Sequence, residues 1–155
     1  MSPERITLYH ATDKLALDAI QDAGALFGYE RTPPLMGYSG ESNLTPDKDS
    51  SLKFIIAYRG GGQWTLADGP PELFLLEFSV PPDEVKAVGQ THILHCDEYA
   101  STLTVDVGDV PDQYLQRLHA GMHRMSRERA RELQDRGKIR FYQVPLDYLT
   151  KIEPV

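Results

Sequence analysis

Ile6, Leu8 and Tyr9 form a β-prone run near the start of the chain, after which the apolar spacing changes to a helical period over Lys14–Ala23. Thr12 or Asp13 can accept a bond from the first free amides of that helix, Leu15, Ala19, Ile20 and Ala23 make one stripe along it, and Gly24 closes it. From Leu26 to Gly40 periodicity is lost among Gly28, Pro33, Pro34, Gly37 and three aromatics, Phe27, Tyr29 and Tyr38, which reads as a long loop suited to a flap over a ligand.

Ser42–Thr45 reads as a short strand, and Pro46–Asp47 introduces a helix over Ser50–Tyr58 that Arg59-Gly60-Gly61-Gly62-Gln63 breaks. Strands are then expected at Leu73–Val80, Val85–Val88, His92–Cys96 and Leu103–Val107. In the first of these, Leu76, Phe78 and Val80 alternate with Glu77 and Ser79, the pattern of a half-buried strand. Pro111–Asp112 opens the longest expected helix, which runs to about Arg136 and is closed by Gly137. Ile139–Val144 is a strand, Leu146–Leu149 a turn, and Lys151–Val155 a closing edge segment. Strands cluster instead of alternating strictly with helices, so the expectation is one α+β domain over residues 1–155 with a mainly antiparallel sheet.

Composition is that of a soluble globule, 41% hydrophobic and 25% charged, and 155 residues are enough to bury a core without staples. Cys96 is the single cysteine, which excludes an intramolecular disulfide. No apolar run is long enough to span a bilayer and the start does not read as a signal peptide, so a cytoplasmic location and no membrane partner are expected.

The formal net charge is −7, against tight non-specific binding to nucleic acid or anionic membrane. Its distribution is uneven: Gln116–Arg140 holds eight of the 16 Lys and Arg but three of the 23 Asp and Glu, a local +5. On one long helix Arg117, Arg124, Arg127 and Arg131 fall opposite the stripe of Leu115, Leu118, Met122, Met125 and Leu133. That arginine face either tracks nucleic-acid phosphates or is solvated and offset by Glu128, Glu132 and Asp135.

Candidate metal ligands do not converge. Strand alternation separates His92 from His95, and His119 and His123, one helical turn apart, lack the glutamate of a metalloprotease helix, so no metal is expected. The glycines at Gly60–Gly62 lack phosphate-cradle spacing, and no serine sits in a nucleophile elbow.

Three segments share an order with a known superfamily: His10-Ala11-Thr12 at the end of the first strand, Asn43-Leu44-Thr45 followed by the helix ending in Tyr58, and Phe141-Tyr142-Gln143-Val144-Pro145 late in the chain. Together they resemble the ADP-ribosyltransferase-like superfamily, its His-Tyr-Glu class that includes diphtheria toxin. The resemblance implies an NAD-binding cleft and cleavage of the nicotinamide glycosidic bond through an oxocarbenium-like state, which needs a bent, well-held substrate more than covalent help.

It further implies that His10 and Thr12 hold ribose hydroxyls, that Thr45 lines the pocket, and that Tyr58 stacks on nicotinamide, a role for which Tyr38 competes. The expected acceptor is a macromolecule, protein or nucleic acid, in a toxin, phage or defence setting. Active members present a glutamate from the late strand. Here the amide Gln143 occupies that run, which leaves three readings open: Gln143 orients without moving a proton, Glu98, Glu41 or Glu77 supplies the acid, or the domain binds a nucleotide or protein partner without catalysis. A nucleic-acid-binding accessory protein is a further alternative. On the residues alone, His10 equally fits a satisfied half-buried histidine and Thr12 a helix cap.

Overall fold

A computed structural model describes residues 4–35, 38–40, 44–49, 51, 72–90, 97–117, 119–120 and 123–154. The expected α+β class with antiparallel sheets holds. Strand β1 (Ile6–Asp13) pairs with β4 (Leu73–Val80), and β4 pairs on its other side with β11 (Leu149–Pro154), giving a three-stranded sheet. A six-stranded sheet runs in the order β6 (Asp97–Ser101), β5 (Val85–Gln90), β3 (Tyr38–Gly40), β2 (Ala25–Leu35), β10 (Ile139–Pro145), β7 (Thr104–Val105).

Two residues stitch the sheets together. Tyr9 and Thr45 exchange backbone bonds of 2.7 and 3.1 Å, and the Tyr99 amide donates to the Leu44 carbonyl at 2.9 Å. Leu44–Thr45 therefore lies between the free edge of β1 and the edge of β6, satisfying backbone groups that an open edge would leave to water.

Helix α1 (Lys14–Ala23) begins where Asp13 accepts a bond from the Ala16 amide at 2.7 Å and ends where Gly24 turns left-handed at φ 75. Its buried face is Leu17 and Ile20, and Leu15, expected on the apolar stripe, is 71% exposed. Leu17 and Ile20 join Leu8, Leu44, Leu76, Phe78 and Val144 in a first core cluster. A second cluster gathers Tyr29, Val107, Val110, Leu115, Met125, Ala130 and Phe141. Strand β10 serves both, sending Val144 into the first and Ile139 and Phe141 into the second by the two-residue alternation of a strand.

The expected loop and flap over Leu26–Gly40 is instead β2 and β3. Ala25–Arg31 pairs residue for residue with Pro145–Ile139, and this pairing sets the conformation that Gly28 and the aromatics obscured. Pro33 and Pro34 follow the last β10 pair, Arg31 with Ile139, where the register with β3 also shifts, so neither removes a bond from the β10 ladder.

The single long helix expected from Pro111 to Arg136 is also corrected. Asp112–Arg117 (α2) gives way to a ribbon of β8 (His119–Ala120) and β9 (His123–Arg124), and a separate helix α3 spans Arg127–Asp135. Ser126 starts α3 by accepting the Arg129 amide at 3.0 Å, a cap inside what reads as one continuous period. The expected end is kept, with Gly137 at φ 69.

The strand expected over Leu103–Val107 is only Thr104–Val105, followed by a 3-10 turn at Val107–Asp109, and β6 was not expected. The strand expected at His92–Cys96 and the helix at Ser50–Tyr58, apart from Ser51, lie outside the described residues.

Candidate functional site

The end of β1 concentrates buried polar groups. His10 is 9% exposed and Thr12 3%, and as alternate residues of one strand they share a face, with Leu76 across from His10 and Phe74 across from Thr12 on β4. Asp13 makes the helix cap, so Thr12 is not held in place by that duty. An imidazole and a hydroxyl thus lie side by side on the face that also carries Leu8, next to the first turn of α1.

Thr45, also 3% exposed, stands differently from the sequence expectation. Its antiparallel partner is Tyr9, so its side chain lies on the Tyr9 side of β1 and not on the His10 side, and its hydroxyl donates to the Asp47 carbonyl at 3.1 Å. One step along the register that joins Leu44 to Tyr99, Glu98 falls opposite Thr45 and is 3% exposed. A buried carboxylate therefore sits two backbone crossings from β1, on the opposite face from His10 and Thr12.

Gln143 pairs with Phe27 on β2, and its backbone N–H donates to the Leu103 carbonyl at 3.0 Å. It shares a face of β10 with Ile139 and Phe141, toward the second cluster, whereas Val144 turns to the first cluster that Leu8 and Leu76 help build. The register does not bring Gln143 to the His10 face. Tyr38 lies in β3 across from Gly89 of β5. Tyr58 and Glu41 lie outside the described residues, and Glu77 is on β4, its carboxylate accepting the Thr150 hydroxyl at 2.8 Å.

The expected arginine face does not exist as one helix surface. Arg117 ends α2, Arg124 is in β9, and Arg127 and Arg131 are on α3. Arg127 donates to the carbonyls of Val107 and Val110, the latter at 2.7 Å, and to Asp112. Arg131 makes two parallel bonds of 2.8 Å to Asp106, whose carboxylate also accepts Gln134 at 2.9 Å and the Gly108 amide at 2.8 Å. The Arg131 guanidinium first, then the Gln134 amide and the Gly108 N–H, hold the Asp106 carboxyl well below the usual carboxylate range. These two arginines fasten the 106–112 segment to α3. The Asp-Val-Gly-Asp sequence at Asp106–Asp109 was the available signal for that latch, since a short acidic side chain bonding two residues ahead favours such turns.

A second polar cluster was not foreseen either. Arg140 donates to Glu30, to the Ser101 carbonyl at 2.7 Å and to Thr104 at 3.2 Å, its guanidinium lies 5.1 Å from the centroid of the Tyr142 ring, and Lys86 reaches Glu30 at 3.3 Å. This ties β2 and β10 to the β6–β7 connection.

Among the described residues, no three His, Cys, Asp or Glu side chains cluster to hold a metal ion, and no helix is long and apolar enough to cross a membrane. Among the described residues, the fold and the buried polar strip define an α+β protein of two large antiparallel sheets joined at Leu44–Thr45, with the two-stranded β8–β9 ribbon beside them in sequence. The chain matches no protein-family model, no curated protein and no solved structure.

Proposed function

We propose that this chain is an ADP-ribosyltransferase-like domain that binds NAD at the end of β1. The observation that carries the reading is the pairing of His10 and Thr12 on one buried face, with the cap role taken by Asp13. The imidazole offers one donor and one acceptor and the hydroxyl both, a set that matches ribose hydroxyls. The order of β1, α1 and β2 and the division into two antiparallel sheets agree with the resemblance.

The same geometry favours binding over transfer. Gln143 has no acid to give and shares its face with Ile139 and Phe141, so His10 and Thr12 bind and orient without a carboxylate from the late strand. The second reading, transfer of ADP-ribose to a protein or nucleic acid, is favoured by one observation, the buried Glu98 across from Thr45.

Incubation with labelled NAD and cell lysate separates the two. Bound NAD with no released nicotinamide and no labelled macromolecule is the expected result. Label transfer that Glu98→Gln abolishes establishes the second reading in its place, and no NAD binding at millimolar concentration removes both.

A further inference from the structure

We infer that β11 is the interface of a two-fold symmetric dimer, in which two copies of this chain pair antiparallel along their β11 edges with Ile152 opposite Ile152. The edge of a sheet presents unpaired backbone groups that another strand can satisfy. Leu44–Thr45 covers the edge of β1 and reaches that of β6, whereas β11 pairs with β4 and, among the described residues, with no other strand.

The direction of the open groups follows from the ladder. Tyr9 bonds Thr45 through both its N–H and its carbonyl, so the odd residues of β1 look away from β4 and the even ones bond to it. Alternation along β4 then turns Leu75 and Glu77 toward β11, where they face Glu153 and Lys151. Ile152, between those two, points its N–H and carbonyl out from the sheet. Pro154 is in the same phase as Ile152, so its missing N–H removes no bond from the β4 ladder.

One register suits a second copy. Antiparallel strands set outward groups opposite outward groups, so Ile152 faces residue 150, 152 or 154 of the other chain. With residue 150 opposite, Lys151 lies against the partner's Lys151, and with residue 154 opposite, Glu153 lies against the partner's Glu153; like charges in either position oppose pairing. With Ile152 opposite Ile152, the two residues exchange two N–H to carbonyl bonds, and each Lys151 lies against the partner's Glu153 in the closer pairs that flank them.

Lys151-Ile152-Glu153 is thus complementary to itself, as an interface on a two-fold axis requires. Within one chain Lys151 contacts Glu153, and Lys48 reaches the same carboxylate at 3.1 Å. The Lys151 and Glu153 side chains are 57% and 30% exposed, open to a second copy. The inference is independent of NAD binding and survives its failure.

The test is sedimentation equilibrium of the full chain over a concentration series, with circular dichroism to show that each variant is folded. The parent is expected to pass from monomer to dimer as concentration rises. Lys151→Glu alone and Glu153→Lys alone each set like charges opposite in the dimer and are expected to stay monomeric. An equimolar mixture of these two variants restores both opposite-charge pairs and is expected to form a one-to-one dimer, and Lys151→Glu/Glu153→Lys in one chain is expected to self-associate like the parent. Hydrogen exchange at the Ile152 amide is expected to slow in step with dimer formation.

A parent that stays monomeric over the series overturns the inference. So does a single variant that dimerises like the parent, which places the contact on another surface, a mixture of folded variants that stays monomeric, or an Ile152 amide whose exchange is the same in monomer and dimer.

Discussion

Gly28 faces Tyr142 directly across the β2–β10 pair, and a Cβ placed on it would come within 2.4 to 2.5 Å of the tyrosine ring carbons and hydroxyl. The ring occupies the space a side chain at 28 would need, with Arg140 stacked 5.1 Å from its centroid. Gly28→Ala is therefore expected to destabilise the fold by about 1–3 kcal/mol through overpacking. Chemical denaturation measures it, and Tyr142→Leu in the same chain should recover part of the loss. An unchanged midpoint in Gly28→Ala would show that the ring does not rest on β2.

The α3 anchor predicts an ordering of costs. Ser126→Ala removes a cap bond and should cost about 1 kcal/mol. Arg127→Ala strips donors from the carbonyls of Val107 and Val110, residues 0% and 1% exposed, and should cost about 1–3 kcal/mol. Equal midpoints for both variants and the parent in urea would contradict the latch.

Asp106 gives the latch a pH dependence. Its carboxyl titrates lower in the folded chain than in the unfolded one, where an aspartate sits near about 3.9, so the stabilisation is complete above that value and is lost as pH falls toward the folded value. Asp106→Asn should lower the melting temperature at pH 7, and the gap from the parent should narrow as pH drops below about 4. A gap that stays constant down to pH 2 would show that the carboxylate charge is not what Arg131 reads.

Much of this architecture was legible in residue patterns with local causes. α1 between Asp13 and Gly24, β4 with its alternating Leu76, Phe78 and Val80, and β10 ahead of Pro145 all carry their own caps or periodicity. β2 was hidden because its conformation comes from pairing with β10, more than a hundred residues away, and Gly28 and the prolines signal a loop when read locally.

The break between α2 and α3 was hidden because Leu115, Met125 and Leu133 keep a helical period across it, although Leu115 reaches the second cluster from α2 and Met125 from the link between β9 and α3. At the candidate site, proximity of His10 and Thr12 followed from their spacing in one strand. The face that Thr45, Glu98 and Gln143 take depends on register, which no local pattern reports.

Binding of NAD at the end of β1 is the central claim, and thermal unfolding in the presence of NAD tests it most directly. A ligand held only by the folded chain at a hundredfold excess over its Kd adds about 2.7 kcal/mol, which raises the melting temperature of a domain this size by roughly 5–10 °C. The account predicts that rise in the parent protein and its loss in both His10→Ala and Thr12→Val, the second a near-isosteric change that keeps the packing beside Phe74. A melting temperature unmoved by millimolar NAD, or one that rises equally in both variants, would contradict it.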